Sequence, residues 1–171
     1  MTKIIITGFM GSGKSTVACA LAQLLRCEMI DLDDVIESAV GRSARQIIEA
    51  DGEPRFRELE QEALRTLLQT SGKYVIALGG GAWISEANRR AIKEHGATSV
   101  WLDAPFSLCW KRITAAAEQR PLARNETEAF ELFSSRTSCY ELADINIGVT
   151  EQESAIELAA EIFQALDKGT N

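Results

Sequence analysis

Residues 3–25 read KIIITGFMGSGKSTVACALAQLL, and this stretch decides the fold. Lys3–Thr7 is a continuous β-branched run, the pattern of a strand buried on both faces. Lys14–Leu25 carries apolar residues at helical spacing. Between them, Gly8-Phe9-Met10-Gly11-Ser12-Gly13-Lys14-Ser15 satisfies G-x-x-x-x-G-K-[ST] in its required setting, with a strand before it and a helix after it. Glycines let backbone N–H groups turn inward around a polyphosphate, and the helix N-terminus adds a favourable dipole. The spacing predicts a nucleoside triphosphate site lined by Gly11, Ser12, Gly13 and Thr16. Lys14 is expected to reach the β- and γ-phosphates, and the Ser15 hydroxyl to ligate Mg²⁺. The motif says little about the acceptor.

Outward from this stretch, short apolar runs alternate with helical patterns. Glu28–Asp31, Tyr74–Leu78, Ser99–Asp103 and Ile145–Val149 read as further strands. Helices are expected over Asp33–Val40, from the Ser43 cap through Asp51, over Glu53–Thr70, and from the Ser85 cap to about Glu94. Three more follow: from Pro105 in a first turn to about Glu118, over Glu126–Glu141, and over Glu151–Asp167. Five alternations of strand and helix predict an α/β fold. Its form is three layers, a parallel sheet of about five strands with helices on both faces, in one domain over residues 1–171. Glu118–Glu128 (EQRPLARNETE) is the most polar and least periodic segment, and is expected to be a lid.

Composition limits the partners. The chain has 171 residues, 46% hydrophobic and 25% charged, which suits a globular domain. The net charge is −7, which argues against a nucleic-acid or anionic-membrane surface. From Glu141 onward there are seven acidic residues and one basic one, so the acidity belongs to one end of the chain. Cys19, Cys27, Cys109 and Cys139 form no CxxC pair, and the single His95 cannot complete a zinc site with them. No secretory h-region follows the first residues, and no run approaches the roughly 18 apolar residues of a membrane span. The expectation is a cytoplasmic monomer with reduced thiols.

Three features speak to the acceptor. Asp31-Leu32-Asp33-Asp34 ends the second strand, where ligands bind in open α/β sheets. A carboxylate there can hold a metal's water shell, accept a hydroxyl proton, or merely cap a helix. Gly79-Gly80-Gly81 ends the third strand and permits close backbone approach to a ligand. Arg57, Arg120, Arg124 and Arg136 fall where helices or loops face the cleft, and Arg fits carboxylate or phosphate bidentately.

The ordered set of motifs resembles the shikimate kinase family over nearly the whole chain. Gly8–Thr16 resembles its P-loop, Ile30-Asp31-Leu32-Asp33 its D-x-D motif, and Gly52–Glu60 its G-E-x-x-F-R-x-x-E segment. Leu78–Ala82 resembles its GGGA turn, Arg120-Pro121-Leu122 its lid motif, and Arg136 with Tyr140 its R-x-x-x-Y segment. The resemblance implies transfer of the ATP γ-phosphate to the 3-hydroxyl of shikimate. It implies that Asp33 binds the acceptor hydroxyls and acts as base or orienter, and that Asp31 supports Mg²⁺ through water beside Ser15. Arg57 and Arg136 would grip the shikimate carboxylate, with Gly79, Gly80 and Gly81 alongside, the last two offering N–H groups. Arg120 would steady charge on the transferred phosphoryl, and Arg112 would lie against adenine. The sequence departs from the pattern at Asp34, an added carboxylate. It departs again at Thr137-Ser138-Cys139, where the family often has a proline, and in a step from Tyr140 to Asp144 that is one residue short. Gln152 and Glu153 stand where some relatives place a basic residue. Other readings stay open: a gluconate-type or nucleotide kinase on the same P-loop fold, or an ATP-binding homologue without turnover. The absence of an N-K-x-D tetrapeptide speaks against a guanine-specific switch.

Overall fold

A computed structural model describes residues 3–116 and 125–168. The apolar run around β1 (Ile4–Thr7) forms the middle of a five-stranded sheet, and all four of its residues are buried. The other strands are β2 (Glu28–Asp31), β3 (Tyr74–Ala77), β4 (Thr98–Asp103) and β5 (Ile145–Gly148). Every pairing is parallel, in the order β2-β3-β1-β4-β5. The helices are α1 (Lys14–Leu25), α2 (Leu32–Val40), α3 (Ala44–Asp51) and α4 (Glu53–Gln69), then α5 (Glu86–Glu94), α6 (Phe106–Ala115), α7 (Glu126–Tyr140) and α8 (Ala155–Lys168). A 3₁₀ turn spans Ala82–Ile84. α1 packs on α8 and on β2 and β3, while α4 packs on α2, α3 and α5, and α5 reaches β4. A central strand with no exposed residue needs cover on both faces, and these two groups of helices supply it. The expected α/β architecture is the one observed.

Register brings the working ends together. Asp31 pairs with Ala77, Ile6 with Ala77, Thr7 with Trp101, and Asp103 with Gly148. The C-terminal ends of all five strands therefore share one edge, where ligands bind in open α/β sheets.

Several boundaries move from the expected ones, each for a local reason. α2 begins at Leu32, because Asp31 accepts a hydrogen bond from the Asp33 N–H and caps the helix. Pro105 precedes α6 as its cap rather than entering its first turn, and α6 stops at Ala115 because Ala116 is extended. α8 begins at Ala155, four residues later than expected. Ser154 accepts from the Glu157 N–H while its own N–H donates to Glu157 Oε2, a capping box that fixes the start. Glu151 and Glu153 thus lie in the β5–α8 loop, and Lys111 on α6 pairs with Glu151. Among the described residues no helix is long and apolar enough to cross a membrane.

Candidate active site

The Gly-rich loop closes tightly over α6. Gly11 has φ +79, and a Cβ there would lie 2.6 Å from the Cys109 carbonyl oxygen. Only glycine fits both conditions. Lys14 Nζ donates to the Phe9 carbonyl at 2.9 Å, which holds the ammonium inside the turn. The Ser12 hydroxyl is buried and has no hydrogen-bond partner among the described residues, an orphaned group in the heart of the loop. Ser15 and Thr16 lie in the exposed first turn of α1. Arg112 reaches in from α6, with Nη1 donating to the carbonyls of Gly11 and Ser12 at 3.2 Å each and lying close to Gly13. It thereby places a fixed positive charge beside the loop.

Asp31 joins this loop to the acceptor side. Its Oδ2 accepts from Ser15 Oγ at 2.7 Å, and its Oδ1 accepts from the Asp33 N–H at 3.1 Å. Asp31 is therefore at once the cap of α2 and the hydrogen-bond partner of Ser15. The hydroxyl and carboxylate are hard oxygen donors that suit Mg²⁺, which takes one or two protein oxygens and draws the rest from phosphates and water. No cluster of three His, Cys, Asp or Glu able to hold a metal occurs among the described residues. Asp34 is exposed and joins neither group.

The three glycines after β3 act as a platform. A Cβ on Gly79 would lie 2.7 Å from Asp33 Oδ1 and 3.2 Å from Glu60 Oε1. A Cβ on Gly81 would lie 2.5 Å from both Nη1 and Nη2 of Arg57. Missing side chains thus seat two carboxylates and a guanidinium against the turn. Gly80 works differently: its carbonyl accepts from Arg136 Nη1 at 3.2 Å and from the Tyr140 hydroxyl at 2.5 Å. Burial pushes the Tyr140 phenol up to about 12, so it stays a donor. Within Thr137-Ser138-Cys139, the Cys139 carbonyl accepts from Trp83 Nε1 at 2.8 Å. That bond and the Gly80 carbonyl hold α7 onto the turn.

Arg57, Gly81 and Arg136 line one cavity of about 390 Å³ together with Glu53, Pro54 and Glu60. Glu60, which the sequence carries as the last residue of the G-E-x-x-F-R-x-x-E segment without a role, is held to Arg57 at this cavity. Its side chain is 1% exposed, and both its oxygens accept from Arg57 Nη1. Burial raises its carboxyl to about 7; Arg57 pulls it down, Asp33 pushes it further up, and Arg136 pulls it down. Burial works against the charge on Arg57, yet Glu60 and Glu53 more than offset it and raise its pKa. The structure therefore brings together Gly11, Ser12, Gly13, Lys14, Ser15, Asp31, Asp33, Arg57, Gly79, Gly80, Gly81, Arg112 and Arg136. Arg120, Arg124 and most of the Glu118–Glu128 lid lie outside the described residues. The site can cradle a polyphosphate on one side and a small acid on the other, with one carboxylate between them.

Comparison with known proteins agrees. The family model described as shikimate kinase matches residues 10–167. A shikimate kinase from Persephonella marina is 38% identical over 163 residues, covering 95% of this chain and 98% of its own. A shikimate kinase from Acinetobacter baumannii, solved in complex with shikimate, superposes with a TM-score of 0.90 at 35% identity, covering 99% of this chain and 94% of its own. The Aquifex aeolicus shikimate kinase gives a TM-score of 0.83 at 33% identity, covering 99% and 98%. A glycine turn that seats two carboxylates and an arginine beside a phosphate loop, in a chain matched over nearly its whole length, leads to one conclusion: the chain belongs to the shikimate kinase family.

Proposed function

We propose that the protein transfers the γ-phosphate of ATP to the 3-hydroxyl of shikimate, giving shikimate 3-phosphate and ADP. The observation that carries this reading is the convergence of Arg57 and Arg136 on one cavity, on the sheet edge that also holds the phosphate loop. Two guanidiniums at one cavity suit a carboxylic acid as acceptor. Asp33, seated against Gly79, takes the acceptor hydroxyls and orients the attacking one or accepts its proton. Lys14 leaves the Phe9 carbonyl for the β- and γ-phosphates. Arg120 steadies charge on the transferred phosphoryl group, and Arg112 flanks adenine while bracing the loop. Ser15 and, through water, Asp31 hold Mg²⁺, which neutralises and orients the phosphate oxygens when bound. Phosphoryl transfer needs little covalent chemistry from the protein, so positioning and positive charge supply most of the rate. We also infer a cytoplasmic monomer, in keeping with four cysteines that are all unpaired.

A coupled ADP-release assay against shikimate, gluconate and nucleoside monophosphates tests the reading. Turnover is expected with shikimate. Turnover with another acceptor but not with shikimate sinks the proposal and reassigns the protein to a different small-molecule kinase. ATP binding without turnover on any acceptor marks a non-catalytic homologue.

A further inference from the structure

Arg57 is assigned above to the acceptor's carboxylate, yet its guanidinium is already committed. Nη1 donates to the two oxygens of Glu60 at 3.1 and 2.9 Å. Nε and Nη2 both donate to Glu53 Oε1, at 3.2 and 2.8 Å. The Nε–Nη2 edge is one that a planar carboxylate meets side-on with two parallel hydrogen bonds. In this structure a carboxylate from the chain itself holds that edge.

The two partners of Arg57 are unlike. Glu60 is 1% exposed and sits under the Gly79 turn, so it cannot move without reopening the packing there. Glu53 is 45% exposed, stands in the first turn of α4, and lines the same cavity as Arg57, Gly81 and Arg136. One side chain is a fixed anchor and the other is free to swing into water. Charge points the same way. Around Arg57 and Arg136 stand the carboxylates of Glu53, Glu60 and Asp33, while Glu58 at the cavity is paired with Arg55. An acid that displaced nothing would add a further carboxylate to the three already set around two guanidiniums. An acid that took the place of Glu53 would leave the balance unchanged.

Resting on the reading that the acceptor is a carboxylic acid held by Arg57, we propose that Glu53 is an internal stand-in for that acid. It keeps the Nε–Nη2 edge of Arg57 aligned before the acceptor binds and is exchanged for the acceptor's carboxylate on binding. The exchange sets specificity. A carboxylate replaces both lost hydrogen bonds, whereas a neutral polyol offers no equivalent and either leaves Glu53 in place or breaks the pair uncompensated. Glu53 is thus a competitor that tunes acceptor affinity and is not a catalytic residue.

The test compares wild type, Glu53→Gln and Glu53→Ala. Binding of shikimate and of its carboxamide is measured by calorimetry, and steady-state kinetics are run with ATP. An exposed pair of this kind contributes little, so removing the competitor is expected to lower Kd and KM for shikimate by about threefold. Carboxamide binding, KM for ATP and kcat should stay within error of wild type. Unchanged or weaker shikimate binding in both variants overturns the proposal, and so does an equal gain for acid and amide. Arg57→Ala serves as the control for the underlying reading. If it leaves shikimate binding intact, the carboxylate grip fails and the stand-in falls with it. If Arg57→Ala weakens binding while the Glu53 variants do nothing, only the role of Glu53 is rejected.

Discussion

The residues that matter most here are ones with nothing to show. Gly79 and Gly81 contribute no side chain, and that absence seats Asp33, Glu60 and Arg57 against the turn. Gly81→Ala puts a methyl group 2.5 Å from the Arg57 guanidinium and must push it off the turn. KM for shikimate should rise at least tenfold, about 1.4 kcal/mol and close to the roughly 1.5–3 kcal/mol of a hydrogen bond to a charged group, while KM for ATP changes little; equal rises in both would count against a carboxylate grip. Asp33→Asn keeps the shape and removes the carboxylate proposed as base or orienter, so kcat should fall by roughly 10²–10⁴ while ATP still binds. Near wild-type turnover would remove Asp33 from the chemistry. Asp33, Arg57, Arg136 and the glycines were legible in the sequence because their residue types suit phosphate and carboxylate chemistry. Glu60 was not. A glutamate in a charged helix reads as solvated, and its burial depends on which face of α4 meets the Gly79 turn. The use of the Gly80 carbonyl as an acceptor for Arg136 and Tyr140 was equally hidden, since no side chain signals it.

At the scale of elements, the strands and helices followed from period and capping, and their ends were decided by competition between caps. Thr150 imitates a helix start, with its N–H and hydroxyl both donating to Glu153 Oε2. Ser154 wins one turn later because its bonds with Glu157 run both ways. The S-x-x-E signal was present in the sequence, but the acidic run from Glu151 masked it. Ser154→Ala should lower stability by about 1 kcal/mol, read as a shift of the urea midpoint with unchanged slope. No shift would mean that the Thr150 turn can take over the cap. α2 shows the same logic with a functional cost, since the residue that starts it, Asp31, also faces Ser15. Sequence spacing allowed cap or metal-side carboxylate; the fold shows one oxygen capping α2 and the other accepting from Ser15.

Across the whole molecule, acidity and buried charge act at different places. Of the C-terminal carboxylates, Glu141 and Asp144 lie between α7 and β5 and the rest on α8 and the loop before it, whereas Glu60 is buried inside the fold. Its carboxyl moves from its usual 4.5 to about 7 on folding, chiefly through burial. Between those values the folded protein holds a proton that the unfolded chain has released. The contribution of Glu60 to stability is therefore full below about pH 4.5 and is lost as pH rises through 7. Urea midpoints measured from pH 5 to 8 should fall less steeply in Glu60→Gln than in wild type; identical slopes would show that the buried carboxylate does not titrate in that window. The bridge made by Asp31 has a wider consequence. One carboxylate touches α1 with one oxygen and the frame of Asp33 with the other, a direct physical path between the two halves of the site. If the nucleotide changes acceptor affinity through it, the acceptor must change nucleotide affinity by the same factor.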